Sequence, residues 1–121
     1  AVVSPRAELH PTAMIWPGAV INGGAKIGES VVVNTAAVVE HDVELGDFSW
    51  VAPAAVVCGA TRVGARASVG AGATVIQCLS IGADTVIGAG SVVLKDLPEG
   101  VVAYGVPCAV RQKRELSPLA A

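Results

Sequence analysis

A branched aliphatic residue returns at every sixth position from Val3 to Val93 without a single slip. The series is Val3, Leu9, Ile15, Ile21, Ile27, Val33, Val39, Leu45, Val51, Val57, Val63, Val69, Val75, Ile81, Ile87 and Val93. Two residues before each next member stands a second restricted position, running from Ala7, Ala13, Ala19 and Ala25 to Ser91 and Leu97. A fixed short period is the signature of a repeat architecture. Because the register holds, residues 3–98 leave no room for an inserted loop. Each hexad reads as a short strand and a corner. The small and aliphatic residues point inward and flank one outward residue, at the strand period of two, and three residues turn the chain. An antiparallel sandwich would need turns of varied length and aromatic core residues. This chain has four aromatics, Trp16, Phe48, Trp50 and Tyr104, against 22 Val and 21 Ala. Its core must be narrow.

Three hexads close a triangular coil, the hexapeptide form of a parallel β-helix. The expected fold is all-β, with residues 1–98 in about five coils, roughly 25 Å tall at ~4.8 Å per layer. The period does not set the hand; the general crossover rule favours a right-handed path. Gly28, Gly46, Gly64, Gly70, Gly82 and Gly88 directly follow an aliphatic. There a corner is expected to need unusual dihedrals. Residues 99–121 leave the repeat after Pro98 and form a C-terminal extension with a basic cluster, Arg111, Lys113 and Arg114. This is either a solvated tail or one that meets a phosphate.

Outward residues 18 apart form columns. Glu8, Lys26, Glu44, Arg62 and Ser80 alternate in charge and read as a solvent face. Met14, Val32, Trp50, Ser68 and Val86 are mostly apolar. Val20, Val38, Val56, Thr74 and Val92 form an apolar stripe, which predicts cover by another subunit.

The net charge of −2 provides no basic field for nucleic acid. No apolar run approaches the ~20 residues of a membrane span, and no signal peptide is visible. Cys58, Cys78 and Cys108 are odd in number and lack CxxC spacing, which suits reduced thiols and a cytoplasmic location.

The chain has two histidines. His41 lies in Glu40-His41-Asp42, a corner beside the Val stripe, in the column Gly23, His41, Gly59, Gln77, Lys95. A histidine flanked by carboxylates is a candidate general base, and the Gly59 N–H above it is a candidate donor to an oxyanion. The alternative is a solvated corner histidine. His10 and His41 are too far apart for a shared zinc site, so no metal is expected.

Several segments resemble the sugar O/N-acetyltransferases of the sialic-acid and bacillosamine type, within the left-handed β-helix acyltransferases. They are Leu9-His10-Pro11-Thr12-Ala13, Asn34-Thr35-Ala36-Ala37-Val38-Val39-Glu40-His41-Asp42, Leu45-Gly46-Asp47-Phe48, Val51-Ala52-Pro53 and Tyr104-Gly105-Val106-Pro107. The resemblance implies a left-handed helix, a homotrimer and acetyl-CoA in the groove between neighbours, with a sugar or nucleotide-sugar acceptor. It further implies His41 as base and Asp42 as its support. Gly59, Arg62, Ala71, Gln77 and Ala89 would contact the cofactor, and Asn34 and Trp50 the substrate. The basic end would lie near the CoA nucleotide.

Two departures stand out. The family usually begins with a nucleotide-sugar-binding α/β domain, which this stretch lacks. Trp50 stands where the family usually has a further histidine near the acetyl group. Trp16, odd for a corner, reads as a sugar platform, an interface plug or an engineered insertion. The competing reading is a non-catalytic or engineered trimeric scaffold.

Overall fold

The computed structural model describes residues 1–115; the last part of the expected extension, 116–121, lies outside the described residues. Sixteen two-residue strands, β1 (Val2–Val3) to β16 (Val92–Val93), recur every six residues. Every third strand stacks in parallel, giving three sheets around one axis. Face A holds Val2–Val3, Val20–Ile21, Val38–Val39, Val56–Val57, Thr74–Val75 and Val92–Val93. Face B runs from Glu8–Leu9 to Ser80–Ile81, and face C from Met14–Ile15 to Val86–Ile87. The column arithmetic holds residue for residue: Glu44 pairs with Arg62, Val38 with Val56, and Trp50 with Val32 and Ser68.

Both restricted positions point inward. Ala19, Ile21, Ala25, Val33, Val39, Val57, Val69 and Val75 are all buried in one continuous core. Each fully buried Val contributes roughly 1.5–3 kcal/mol. Val3 remains 39% exposed, because no coil lies beneath it.

The solenoid is left-handed, so the crossover rule gives the wrong hand here. That rule depends on a twisted strand feeding a crossover that packs back onto the same sheet. Here each connection between stacked strands instead passes through the two other faces.

The corner glycines also differ from the sequence expectation. Left-handed φ occurs three residues after each aliphatic, at every sixth position from Gly18 to Gly90. Nine of these residues are not glycine, including Ala36, Asp42, Ala60 and Asp84, with φ between 51° and 61°. Such a conformation costs a non-glycine residue roughly 1–2 kcal/mol. The turn offsets it by aiming the N–H along the axis. Asp42 N–H donates to Gly23 O at 3.1 Å, and Ala60 N–H to His41 O at 2.9 Å. Gly46 and Gly64 are needed for space instead. A Cβ on either would lie 2.7 or 2.5 Å from the backbone nitrogen of Ala65 or Ala83 in the next coil.

The break after Pro98 interrupts the hexad spacing but not the stacking. Leu97 bridges to Ile81, and β17 (Val101–Gly105) pairs in parallel with Val86–Ile87. This rung brings the solenoid to about six turns. β18 (Cys108–Lys113) folds back antiparallel on β17. Two members of the basic cluster secure this end. Arg111 Nε donates to Tyr104 O at 3.1 Å, with its guanidinium 5.3 Å from the ring centroid. Arg114 Nη1 donates to Asp84 O. Arg66 hydrogen-bonds both oxygens of Asp84 at 2.8 and 3.1 Å and holds that carboxyl below its ordinary range.

The outward valines Val20, Val38, Val56 and Val92 of face A are half-buried by their column neighbours, not fully exposed. Among the exposed apolar side chains, Met14, Trp16, Phe48 and Trp50 lie on face C or at its corners, while Val2 is exposed at the open end of face A. No helix among the described residues is long and apolar enough to cross a membrane.

Candidate active site

The Glu40-His41-Asp42 corner joins face A to face B. Aspartate tolerates the left-handed turn better than most residues, and φ of 58° at Asp42 folds its side chain toward its neighbour. His41 Nδ1 lies 3.1 Å from Asp42 Oδ2, and both side chains are 66% exposed. With Nδ1–H donated to the carboxylate, Nε2 is the nitrogen free to accept a proton.

Two glycines make room for this pair. A Cβ on Gly59, one coil above, would lie 2.5 Å from His41 Nε2 and 2.6 Å from Cε1. A Cβ on Gly24, one coil below, would collide with Asp42 Oδ1. The Gly59 carbonyl accepts from Cys78 N–H at 2.9 Å, while its own N–H meets no acceptor among the described residues. The imidazole edge and an uncommitted backbone donor therefore stand together.

Beside them, Asn22 Nδ2 donates to Glu40 Oε2 at 2.9 Å. Cys58, next to Gly59, has its pKa raised, first by burial and then by the Glu40 carboxylate, so it stays a thiol rather than a competing nucleophile. Arg6, Asn22, Gly23, Gly24, Glu40, His41 and Asp42 line an open depression. The sequence reading missed Arg6, Asn22 and Gly24. The columns carried a signal for Asn22, which lies 18 residues before Glu40, and for Gly24, 18 before Asp42.

One chain does not assemble all the expected site residues. Gly59 and Gln77 share the His41 corner. Asn34, Ala71 and Ala89 lie at the corner between faces C and A, at the other edge of the valine face. Asn34 Nδ2 donates to Val51 O at 3.1 Å in the coil above. Trp50, 44% exposed, projects from face C, the side of the triangle opposite the His41 corner. Arg62 lies on face B, its Nε 3.0 Å from Glu44 Oε2. Among the described residues no group of three His, Cys, Asp or Glu side chains converges to hold a metal.

By its repeat and its stacked left-handed corners, the chain is a hexapeptide-repeat left-handed β-helix. The solved structures it matches include a variant of GDP-perosamine N-acetyltransferase from Caulobacter crescentus, in complex with CoA and GDP-perosamine. That match has 38% identity over 93% of this chain and 57% of that one, with a TM-score of 0.75. Another is the acetyltransferase domain of PglB from Neisseria gonorrhoeae in complex with acetyl coenzyme A, at 34% identity over 90% and 56%, TM-score 0.78. A hexapeptide transferase family protein from Anaplasma phagocytophilum, 21% identical over 94% and 79% with a TM-score of 0.78, shares the fold. The chain thus spans just over half the length of the first two. No family model matches the sequence, and no curated protein matches it.

Proposed function

We propose that this chain is the catalytic β-helix of an acetyl-CoA-dependent acetyltransferase acting on an amine or hydroxyl of a sugar or nucleotide-sugar. The observation that carries the reading is His41, held by Asp42 on one ring nitrogen and aimed with the other at Gly59. His41 Nε2 takes the proton as the acceptor nitrogen or oxygen attacks the thioester carbonyl. The Gly59 N–H donates to the oxyanion that forms, and the carbonyl re-forms as the C–S bond breaks. The leaving sulfur takes up a proton, so the net result is an acetyl group on the acceptor and a free thiol. Asp42 keeps the imidazole in the required tautomer and stabilises its charged form.

The residues divided between two corners fit a homotrimer. The corners that carry His41 and Asn34 flank the same apolar face A. If face A looks onto a threefold axis, the His41 corner of one protomer meets the Asn34, Ala71 and Ala89 corner of the next, a heterologous contact that closes into a ring. The coenzyme then lies in that groove, with Gly59, Gln77, Ala71 and Ala89 along it. The free cysteines Cys58, Cys78 and Cys108 suit a cytoplasmic setting.

Trp50 favours a second reading, a trimeric scaffold without activity, because an indole only donates a hydrogen bond and is bulkier than an imidazole. His41→Ala separates the two. Acetyl transfer to an amino sugar should fall ~10²–10⁴-fold, the usual worth of a general base, with acetyl-CoA affinity by calorimetry nearly unchanged. Equal turnover would remove His41 from the role, and absence of acetyl-CoA binding by the parent chain would favour the scaffold.

A further inference from the structure

Arg6 is the one arginine whose guanidinium makes no hydrogen bond or ion pair among the described residues. Arg62 is held by Glu44, Arg66 by Asp84, Arg111 by Tyr104 and Arg114 by the Asp84 carbonyl. Arg6 is nevertheless placed. Its guanidinium lies across Gly23, with Nη2 and Nε 3.3 and 3.4 Å from where a Cβ would stand. Gly23 is the residue directly beneath His41 in the corner column, hydrogen-bonded through its carbonyl to Asp42 N–H. The column therefore has two bare positions. Gly59 accommodates the imidazole and Gly23 the guanidinium.

The carboxylates that line the same depression are already engaged. Glu40 is held by Asn22, and Asp42 faces His41. This leaves a planar five-donor fork, matched to an oxyanion, with nothing among the described residues to bind it. It stands one to two layers from His41 Nε2, roughly 5–10 Å at ~4.8 Å per layer. That is the span of one sugar ring with a substituent.

We propose that Arg6 anchors an oxyanion, a phosphoryl or carboxylate group, carried by the acceptor, and so selects anionic sugars over neutral ones. The inference rests on the acetyltransferase reading for the identity of the ligand. It does not require turnover for its test.

The test is calorimetric titration of the chain with glucosamine, glucosamine 6-phosphate and the corresponding amino-uronic acid. The parent and the Arg6→Gln, Arg6→Lys and His41→Ala variants are compared, with thermal unfolding as a check of fold. The parent should bind at least one anionic sugar about tenfold or more tighter than glucosamine, a gain suited to a charge-assisted fork. Whichever anion is favoured identifies the source. Arg6→Gln should erase the preference, and Arg6→Lys should keep part of it. His41→Ala should retain the preference while losing transfer. A preference that survives Arg6→Gln, no preference in the parent, or no binding of any of the three sugars would overturn the assignment. If the Arg6 preference holds but His41→Ala still transfers acetyl, the base reading falls and the anchor stands. If His41→Ala abolishes transfer and Arg6→Gln changes nothing, only the anchor falls.

Discussion

Gly59→Ala offers a test in which geometry sets the size of the effect. The added methyl would lie 2.5 Å from His41 Nε2, where ordinary contact begins near 3.4 Å, so the imidazole edge must retreat by about 1 Å. His41 can give way because its side chain is 66% exposed and tied only to Asp42. The backbone does not resist either, since Gly59 is not among the residues with positive φ. Removing a glycine from the unfolded chain stabilises by roughly 0.4–1 kcal/mol where the native conformation is compatible. Gly59→Ala should therefore unfold at an equal or slightly higher temperature, while acetyl transfer falls by ~10²-fold, the usual effect of a 1 Å displacement at a reacting group.

The control is Gly64→Ala. Its methyl would meet the Ala83 backbone at 2.5 Å, which cannot swing aside, so stability itself should fall. The assay is thiol release from acetyl-CoA with an amino-sugar acceptor, run beside thermal unfolding of both variants. Turnover within about threefold of the parent in a folded Gly59→Ala protein would refute the placement of His41 Nε2 at the reacting proton.

Ser49 is buried with its hydroxyl unpartnered between Val31 and Ala67 in its column, so Ser49→Ala should raise the urea midpoint, by about 1 kcal/mol of stability. An unchanged or lower midpoint would show that the hydroxyl has a partner. Val56→Glu places a carboxylate in the middle of face A and should convert a trimer of 12.0 kDa subunits to monomer or unfolded chain in sedimentation; an intact trimer would show that face A is not the contact. Trp50→His removes bulk and supplies an acceptor on face C, and should raise transfer or tighten acetyl-CoA binding with the trimer intact. Equal or better performance by the Trp50 form would make the indole a working part of the groove.

Most of the fold was legible because a solenoid turns a three-dimensional relation into a count. A step of 18 residues predicts that Glu44 lies beside Arg62 and Trp50 beside Val32, and the backbone ladders place them so. The count fails where the step changes. Leu97 meets Ile81 at a separation of 16, and nothing in the hexad pattern signals that β17 would still add a rung. Dihedrals were not legible either, because alanine, serine, phenylalanine and arginine all occupy left-handed corners here. Those corners are fixed by hydrogen bonds between coils, which local propensity does not register.

The histidine corner was legible for a different reason from the Arg6 anchor. His41 carries its partner in the next residue, so sequence adjacency suffices. Arg6 acts through an absence, the missing side chain at Gly23, and only a long flexible side chain seen in place shows that the space is used. The glycines of two neighbouring columns therefore have separate tasks. Gly46 and Gly64 let backbone pass over backbone and maintain the stack. Gly23 and Gly59 let functional side chains lie flat against it. Substitution distinguishes the two kinds: loss of the first lowers stability, while loss of the second changes only what the corner can bind or deprotonate. Gly28 stands above His10 in the same way, but its N–H is given to Leu45 O at 3.0 Å and the His10 ring nitrogen meets the Thr12 hydroxyl at 2.8 Å; at His41 the ring lies against Gly59, whose N–H is uncommitted among the described residues, and a carboxylate faces Nδ1.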